Sequence, residues 1–264
     1  MTISGLQGRT ALITGSTSGI GAAIAEKMAA AGANVVLNGF GDAGEIEGQR
    51  SALERDHAIR AIYINKDLSS GSECRALVAE AAAQLAPPDI LVNNAGIQHV
   101  AAIDEFPPEK WDAIIAINLT SAFHTIAAAL PAMKDAGWGR IINIASAQGL
   151  VGSPFKSAYN AAKHGIIGMT KSVALEVART KITVNAICPG YVRTPLVEGQ
   201  VADQAKAHDM SEEEVIEKVI LDAQPNKEFV EPGQLGDFAV FLCTEAGSSF
   251  TGAALPMDGG WTAR

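Results

Sequence analysis

The segment Thr10–Gly21 has the sequence TALITGSTSGIG, and this segment gives the first indication of the fold. A short apolar run ends at Gly15, which predicts a buried strand, and a helical pattern then extends from Gly19 through Ala31. The glycines let the backbone turn tightly and approach a pyrophosphate at the positive end of the helix dipole, with Ser16–Ser18 as hydroxyl donors. The spacing GxxxGxG departs from the GxGxxG fingerprint. The order strand, turn, helix nevertheless favours a dinucleotide site over a simple tight turn.

Strand and helix patterns alternate along the rest of the chain. After Thr10–Thr14, the predicted strands are Asn34–Asn38, Ile59–Asn65, Asp89–Asn93, Arg140–Ser146, Ile182–Ile187 and Ala253–Met257. The later predicted helices are Glu45–His57, Ser72–Leu85, Trp111–Leu130, one that contains Tyr159 and ends near Arg179, and one that contains Asp237–Leu242. This alternation, with no composition break, predicts a single domain over residues 1–264, built on one doubly wound parallel α/β sheet.

One segment interrupts the alternation. Tyr191–Gln224 is polar and charged, and Ser211–Glu214 has the pattern of a helix capping box. We interpret residues 191–224 as a mobile lid over the site.

Composition and charge disfavour several classes of function. The net charge of the 264-residue chain is −9 and no run of Lys and Arg could follow a phosphate backbone, which disfavours nucleic-acid binding. The cysteines are far apart and form no CxxC pair, so we expect reduced thiols and no metal site; they are Cys74, Cys188 and Cys243. The first ten residues lack a secretory pattern and no apolar stretch is expected to span a membrane. We therefore expect a soluble cytoplasmic protein.

Further polar residues follow predicted strands, at the edge where open α/β sheets bind ligands. Asp67 is a candidate for the adenine amino group, with a helix cap as the alternative, and Phe40 either flanks the adenine or plugs the turn beneath it. An acidic residue usually ends the second strand of NAD-binding proteins, but here the first one is Asp42. Since no Lys or Arg follows that strand to meet a 2′-phosphate, the sequence disfavours NADP more than NAD.

The segment Ser146–Lys163 contains side chains suited to proton transfer. Ser146 ends a predicted strand, and Tyr159 and Lys163 lie one helical turn apart on one face. A free tyrosine has a pKa of about 10, but an adjacent ammonium favours the phenolate, and a serine hydroxyl can share the substrate oxygen. Alone, a Tyr and a Lys at this spacing are more often a packed ring and a solvated charge. The dinucleotide site changes that balance.

Taken together, the motifs resemble those of the short-chain dehydrogenase/reductase family, over essentially the whole chain. They are Thr14–Gly21, Asn93–Gly96, Asn118, Ser146, Tyr159, Lys163 and Pro189–Gly190. The resemblance implies a Rossmann-type fold, a nicotinamide cofactor and a catalytic tetrad of Asn118, Ser146, Tyr159 and Lys163, in which Asn118 holds a water of a proton relay. The expected cofactor-binding residues are Gly15, Ser16, Thr17, Gly19, Ile20, Gly21, Phe40, Asp67, Leu68, Asn94, Ala95, Gly96, Tyr159, Lys163, Pro189, Gly190, Val192 and Thr194.

Further stretches resemble family members that convert D-3-hydroxybutyrate to acetoacetate. They are Asn38–Gly41, Gly96–Gln98, Ser153–Tyr159, Arg193–Glu198 with Gln200, and Asp258–Arg264. This resemblance implies NAD, a homotetramer, and a substrate site formed by Gln98, Ser146, Gln148, Lys156, Tyr159, Tyr191, Gln200 and Trp261. In that site Gln98, Lys156 and Gln200 hold the carboxylate and Trp261 covers the methyl end.

Two positions depart from the pattern of those members. They usually have His where this chain has Gln148, which cannot carry a charge, and often Trp where it has Tyr191. Carboxylate binding would then depend more on Lys156. Three alternatives stay open: an NADPH-dependent 3-oxoacyl carrier-protein reductase, another short-chain alcohol or polyol dehydrogenase, and a nucleotide-responsive binding protein without catalysis.

Overall fold

Seven parallel strands form one sheet in a computed structural model that describes residues 5–194, 197–198, 201 and 210–263. The strand order is β3-β2-β1-β4-β5-β6-β7. The strands are β1 (Thr10–Ile13), β2 (Asn34–Leu37), β3 (Ala61–Tyr63), β4 (Ile90–Asn93), β5 (Gly139–Ile144), β6 (Ile182–Pro189) and β7 (Ala254–Met257). The order reverses beside β1, which places a ligand crevice between the carboxyl ends of β1 and β4. The predicted doubly wound parallel α/β fold is confirmed.

Helices cover both faces of this sheet. They are α1 (Gly19–Ala30), α2 (Ala43–His57), α3 (Gly71–Gln84), α4 (Pro108–Ile115), α5 (Ser121–Ala136), α6 (Ser157–Glu176), α7 (Glu212–Val215) and α8 (Pro232–Cys243). Successive strand residues point to opposite faces, so β1 sends Ile13 toward Met28 and Leu235 of α1 and α8. Its Leu12 joins Leu77 and other residues of α3, α5 and α6 on the opposite face. The strands are apolar throughout because both faces are covered.

Helix α2 and strand β3 are among the elements whose boundaries differ from those predicted. Helix α2 begins at Ala43 rather than Glu45, because the Asp42 carboxylate accepts hydrogen bonds from the backbone N–H groups of Gly44 (2.8 Å) and Glu45 (3.0 Å). Strand β3 has three residues, Ala61–Tyr63, where seven are predicted, although Ile64 N–H still donates to Leu37 at 2.9 Å.

A longer apolar helix than expected lies between β4 and β5. Helix α4, a π-helical turn at Ala116–Thr120 and α5 continue one another from Pro108 to Ala136. Within the described ranges, this is the one helix that is long and apolar enough, by length and composition alone, to cross a membrane, so the expectation that no apolar stretch reaches that length was wrong. Its Ile126 and Met133 pack in the core with α3, which accounts for part of its apolar character.

The predicted capping box is present at the start of α7. Glu214 N–H donates to the Ser211 hydroxyl (3.2 Å), and Ser211 N–H donates to the Glu214 carboxylate (3.3 Å). A second π-helical turn, Ile216–Ile220, follows. Much of the predicted lid, including Gln200, lies outside the described residues. The lid therefore stays a prediction.

Candidate active site

The glycine-rich turn between β1 and α1 is tightly built. Gly15 and Gly19 have positive φ angles of 61° and 53°, which glycine adopts without strain. A Cβ at Gly21 would collide with the Gly15 carbonyl oxygen. The Asn94 amide, at the end of β4, donates to the carbonyl oxygens of Thr14 and Gly15, both at 2.9 Å. The turn thus keeps a bare backbone for a close ligand, as the cofactor prediction requires.

The hydroxyls of this turn are used within the protein. Ser16 is fully buried; its hydroxyl donates to Ile13 O (2.8 Å) and accepts from Asn38 N–H (3.0 Å), which joins β1 to β2. The Thr17 hydroxyl donates to Phe40 O at 2.8 Å. Ser16 and Thr17 therefore shape the cofactor turn. Their predicted direct contact with a cofactor stays a prediction.

The turn after β2 decides between the two interpretations of Phe40. The Phe40 side chain is 67% exposed, so it does not plug the turn and is free to flank an adenine. The Asn38 amide before it is buried and donates to the carbonyl oxygens of Ile64 and Lys66, both at 3.1 Å. Asp67 is exposed and accepts from Ser69 N–H at 2.9 Å within the turn before α3, whose N-cap is Ser70, so Asp67 is not the helix cap. Leu68 beside it is buried.

Asn118 lies in the π-helical turn and pairs with the loop after β4. Its amide oxygen accepts from Ile97 N–H and its amide nitrogen donates to Ile97 O, both at 2.9 Å. An Asn inside a helix is usually exposed or bonded back to its own turn. The Asn118 side chain is instead bonded to the separate loop at Ile97. The pairing fixes Ile97, the residue that follows Asn94–Gly96, against the helix.

The side chains of Ser146, Tyr159 and Lys163 come together at the carboxyl end of β5. The Ser146 side chain lies close enough to Tyr159 to lower the pKa of its phenol, and the Ser146 hydroxyl accepts from Gln148 N–H at 3.1 Å. The Lys163 ammonium lies 5.5 Å from the Tyr159 ring centroid and donates to Ile144 O at 2.7 Å. The geometric prediction of three converging groups is thus met.

The electrostatics of the trio differ from the simple expectation. Burial raises the pKa of Tyr159, and the hydrogen bond from Ser146 only partly offsets it. The Lys163 side chain is 4% exposed, and burial lowers its pKa to about 8. In the protein alone, burial therefore disfavours the charged forms of both Tyr159 and Lys163.

A cation and two stacked rings lie beside the trio. The rings of Tyr191 and Trp261 are stacked, with centroids 5.6 Å apart and planes 8° from parallel. The Lys156 ammonium lies 5.9 Å from the Tyr191 ring centroid, and burial lowers the pKa of Lys156. Tyr191 also lies close enough to Tyr159 for its charge to raise the pKa of Tyr159. This side of the crevice joins a charged group to an apolar wall.

The predicted glutamine ligands are not equally placed. Gln98 is exposed on the loop after β4. Gln148 is 4% exposed, and its amide oxygen has no hydrogen-bond partner. Gln200 lies outside the described residues. A buried amide with an unused polar atom is costly unless a ligand or water satisfies it, which suits a ligand-facing role for Gln148.

The segment after β6 closes the crevice opposite the glycine turn. Gly190 N–H donates to Met257 O at 3.0 Å, Val192 is buried, and the Thr194 methyl would lie 3.6 Å from a Cβ on Gly19. Pro189 ends β6 at the same edge. The sequence did not single out Gln224, a fully buried amide that contacts Tyr191. The one sequence signal for Gln224 is its position before Pro225 in a polar segment.

The sequence of the chain matches a known family and known proteins over most of its length. The family described as short chain dehydrogenase matches residues 9–205. The chain is 54% identical over 256 residues to the D-beta-hydroxybutyrate dehydrogenase of Rhizobium meliloti (strain 1021), covering 97% of this chain and 99% of that protein. It is also 54% identical over 259 residues to the D-beta-hydroxybutyrate dehydrogenase of Cupriavidus necator, covering 98% of this chain and all of that protein.

A solved structure shares the whole fold. The L-sorbose reductase of Gluconobacter frateurii, in complex with NADPH and L-sorbose, superposes with a TM-score of 0.93 at 30% identity over the full length of both chains. The chain thus combines these similarities with a glycine-rich turn, the observed strand order, and Ser, Tyr and Lys side chains at one edge of the sheet. The protein belongs to the short-chain dehydrogenase family of oxidoreductases, which use a nicotinamide cofactor.

Proposed function

We propose that the protein is an NAD-dependent D-3-hydroxybutyrate dehydrogenase, which interconverts D-3-hydroxybutyrate and acetoacetate. The observation that carries the proposal is the placement of Lys156 and the stacked Tyr191 and Trp261 beside Ser146 and Tyr159. A small acid with a hydroxyl group needs a cation for its carboxylate, a base for its hydroxyl and an apolar wall for its methyl group. The names of the two relatives at 54% identity support the same substrate.

The proposed chemistry assigns one role to each group of the trio. Tyr159 takes the proton of the substrate hydroxyl, and Ser146 hydrogen-bonds the same oxygen. Lys163 stabilises the Tyr159 phenolate, and Asn118 orders the loop at Ile97 and holds a water of the proton relay. A bound nicotinamide would supply the hydride acceptor for C3 of the substrate. Reduction of acetoacetate uses the same groups in reverse.

Substrate positioning is proposed to depend on few side chains. Lys156 pairs with the carboxylate, and Gln98, Gln148 and Gln200 add hydrogen bonds. Because burial lowers the pKa of Lys156, a bound carboxylate favours the charged amine and strengthens its own binding. Trp261 and Tyr191 pack on the methyl end. Closure of the lid at about 191–224 would exclude water from the site.

The choice of NAD over NADP rests on the turn after β2. Residues 38–43 contain no Lys or Arg, and the one charged side chain there is the Asp42 carboxylate that caps α2. A 2′-phosphate would meet a negative charge and no cation, whereas a ribose hydroxyl needs only hydrogen-bond acceptors. The related L-sorbose reductase was solved with NADPH, so fold alone does not select the cofactor.

The proposal also includes assembly of the protein as a homotetramer and its location in the cytoplasm. An apolar groove of about 450 Å³ runs between α5 and α6, lined by side chains that include Phe123, Leu130, Met169 and Val173. Phe123 is 50% exposed within it, which is unusual for an aromatic side chain of a monomer. A second copy of the chain would cover this surface. Light scattering coupled to size exclusion measures the assembly state directly.

One spectrophotometric assay tests the function. Formation of NADH would be followed by its absorbance with D- and with L-3-hydroxybutyrate as substrate, and the assay would be repeated with NADP in place of NAD. We expect turnover of the D-enantiomer with NAD. Turnover of neither enantiomer, or a strong preference for NADP, would contradict the proposal and leave the family assignment intact. Reduction of an acetoacetyl thioester with NADPH would then favour the carrier-protein reductase.

A further inference from the structure

A buried glutamine outside the predicted site is bonded to the substrate wall. Gln224 is fully buried, and its amide oxygen accepts from Tyr191 N–H at 2.6 Å. Its amide nitrogen donates to Glu228 O at 2.5 Å. Both polar ends of one side chain are thus used to join two backbone segments that are distant in sequence. A Cβ at Gly190 would collide with the Gln224 amide oxygen, so the contact is close-packed as well as hydrogen-bonded.

The backbone of Tyr191 is hydrogen-bonded through both its N–H group and its carbonyl group. While its N–H donates to Gln224, its carbonyl oxygen accepts from Val230 N–H at 2.9 Å, and Arg193 N–H donates to Val230 O at 2.9 Å. With the backbone fixed on both sides, the Tyr191 ring retains only its side-chain rotations. Stacking on Trp261 then removes those.

The same short segment also holds the loop that carries Trp261. Two residues beyond Gln224, Asn226 N–H donates to Gly259 O at 3.2 Å, and a Cβ at Gly259 would collide with the Asn226 amide. The loop is braced further by Asp258, whose carboxylate accepts from Gly260 N–H at 3.1 Å and from Thr262 N–H at 2.9 Å. The segment 224–226 therefore tethers both partners of the stack.

We propose that Gln224 is a positioning residue for the substrate, which sets the Tyr191 ring against Trp261 and Lys156 through the Tyr191 backbone. The inference rests on the proposed function, because the stack is assigned to the methyl end of the hydroxy acid. Gln224 touches neither the substrate nor the reacting atoms. It acts on substrate affinity by fixing the wall and the ring that faces the Lys156 ammonium.

The first test compares two buried amides. Gln224→Leu keeps the approximate size and removes both hydrogen bonds, so we expect KM for D-3-hydroxybutyrate to rise about tenfold, with kcat and the Kd of NAD within about twofold. Asn185→Leu is the matched control. The Asn185 amide of β6 is also buried and bridges two backbone groups, Phe250 O at 2.7 Å and Ala253 N–H at 3.2 Å, but these lie in the segment before β7. A purely structural role for Gln224 predicts equal effects of the two variants on KM.

A second variant covers the case in which the leucine protein does not fold. A protonated Glu at 224 can accept from Tyr191 and donate to Glu228, as the amide does, whereas its ionised form cannot donate. For Gln224→Glu we expect the ratio of its KM to the wild-type KM to lie near one at acid pH. The ratio should rise with pH as the buried carboxyl ionises, above its ordinary value of about 4.3. A ratio independent of pH would overturn the proposal.

A third measurement does not depend on the substrate. In a Trp111→Phe, Trp138→Phe background, Trp261 is the remaining tryptophan, and acrylamide quenching reports its exposure. Gln224→Leu should increase quenching in that background and Asn185→Leu should not. If the wild-type enzyme fails to oxidise either hydroxybutyrate enantiomer, the proposed function falls while this test of the tether stands. Unchanged quenching, or a KM effect no larger than that of the control, would overturn the positioning role.

Discussion

The cofactor side and the substrate side of the crevice are built in different ways. On the cofactor side, the Thr14 and Ser16 hydroxyls accept hydrogen bonds, and the Asn38 and Asn94 amides donate them, between the turns that follow neighbouring central strands. On the substrate side, segments after β6 and β7 are joined by one buried amide, one ring stack and a few backbone bonds. The first is a rigid frame and the second a set of tethered pieces. Changes on the two sides should therefore have separable consequences.

The largest effect is expected at Tyr159, the proposed proton acceptor, where neither the cofactor side nor the substrate side of the crevice is altered. Tyr159→Phe removes the proton acceptor and keeps the ring, so turnover should fall by about 10³ while the Kd of NAD stays within about twofold. Steady-state kinetics and cofactor titration by fluorescence check the two halves of this statement. Near-normal turnover in the variant would remove Tyr159 from the mechanism.

A smaller loss of turnover, with a gain in stability, is expected for Lys163→Met. Burial lowers the pKa of Lys163 from 10.5 to about 8, which corresponds to a cost on the order of 3 kcal/mol for its charged form. We expect turnover to drop by about 10² and the free energy of unfolding at pH 7 to rise by about 1–3 kcal/mol, less the bond lost at Ile144.

The sign of the pH dependence follows from the lowered pKa. The cost of burying the ammonium is fully present below pH 8 and disappears as pH rises toward 10.5, where lysine is neutral in both the folded and unfolded chain. The stability advantage of Lys163→Met should therefore shrink between those values. Urea denaturation at several pH values measures it, and a variant less stable than wild type at pH 7 would contradict the prediction.

The rigid frame of the cofactor side is broken selectively by Gly21→Ala. The added methyl would collide with the Gly15 carbonyl oxygen and crowd the Asn94 amide, so NAD affinity should fall about tenfold and the free energy of unfolding by about 1–3 kcal/mol. Gly48→Ala, in the middle of α2, is the control. No atom lies within 4 Å of its Cβ, so we expect stabilisation of about 0.5–1 kcal/mol and unchanged NAD affinity. Isothermal titration and thermal unfolding compare the pair, and equal NAD affinities would show that the turn is adaptable.

The smallest effect is expected on the substrate side. Gln148→His replaces the neutral buried amide by a group that can be protonated near pH 6.5, so KM for the hydroxy acid should fall about threefold between pH 8 and pH 6 relative to wild type. The Kd of NAD should not change. A KM ratio that stays constant over this range would place Gln148 away from the carboxylate.

Predictability from sequence differs between the two sides for a physical reason. The glycine turn and the positions of Ser146, Tyr159 and Lys163 follow from strand ends and helical spacing, which are local. Phe40 had two interpretations because its exposure depends on how the turn packs against neighbouring elements, and the side chain is 67% exposed. Burial of the trio, and with it the raised pKa of Tyr159, depends on packing from the whole sheet and could not be inferred from spacing.

Some of the features that the sequence missed depend on contacts between distant residues. Gln224 and Tyr191 are 33 residues apart, and Asn118 and Ile97 are 21 apart. The π-helical turn at Ala116–Thr120 leaves no periodicity signal, because one wider turn shifts the apolar pattern only slightly. The continuous helix from Pro108 to Ala136 was underestimated for the same reason.

The position of β7 bears on the order in which the protein takes shape during synthesis. β7 pairs with β6 near the carboxyl end of the described chain, and Asp258–Trp261 follows it directly. The strands that build the cofactor frame, β1 to β4, have all emerged from the ribosome some 160 residues earlier. A nascent chain can therefore hold a dinucleotide turn long before it has a wall against which a hydroxy acid can rest.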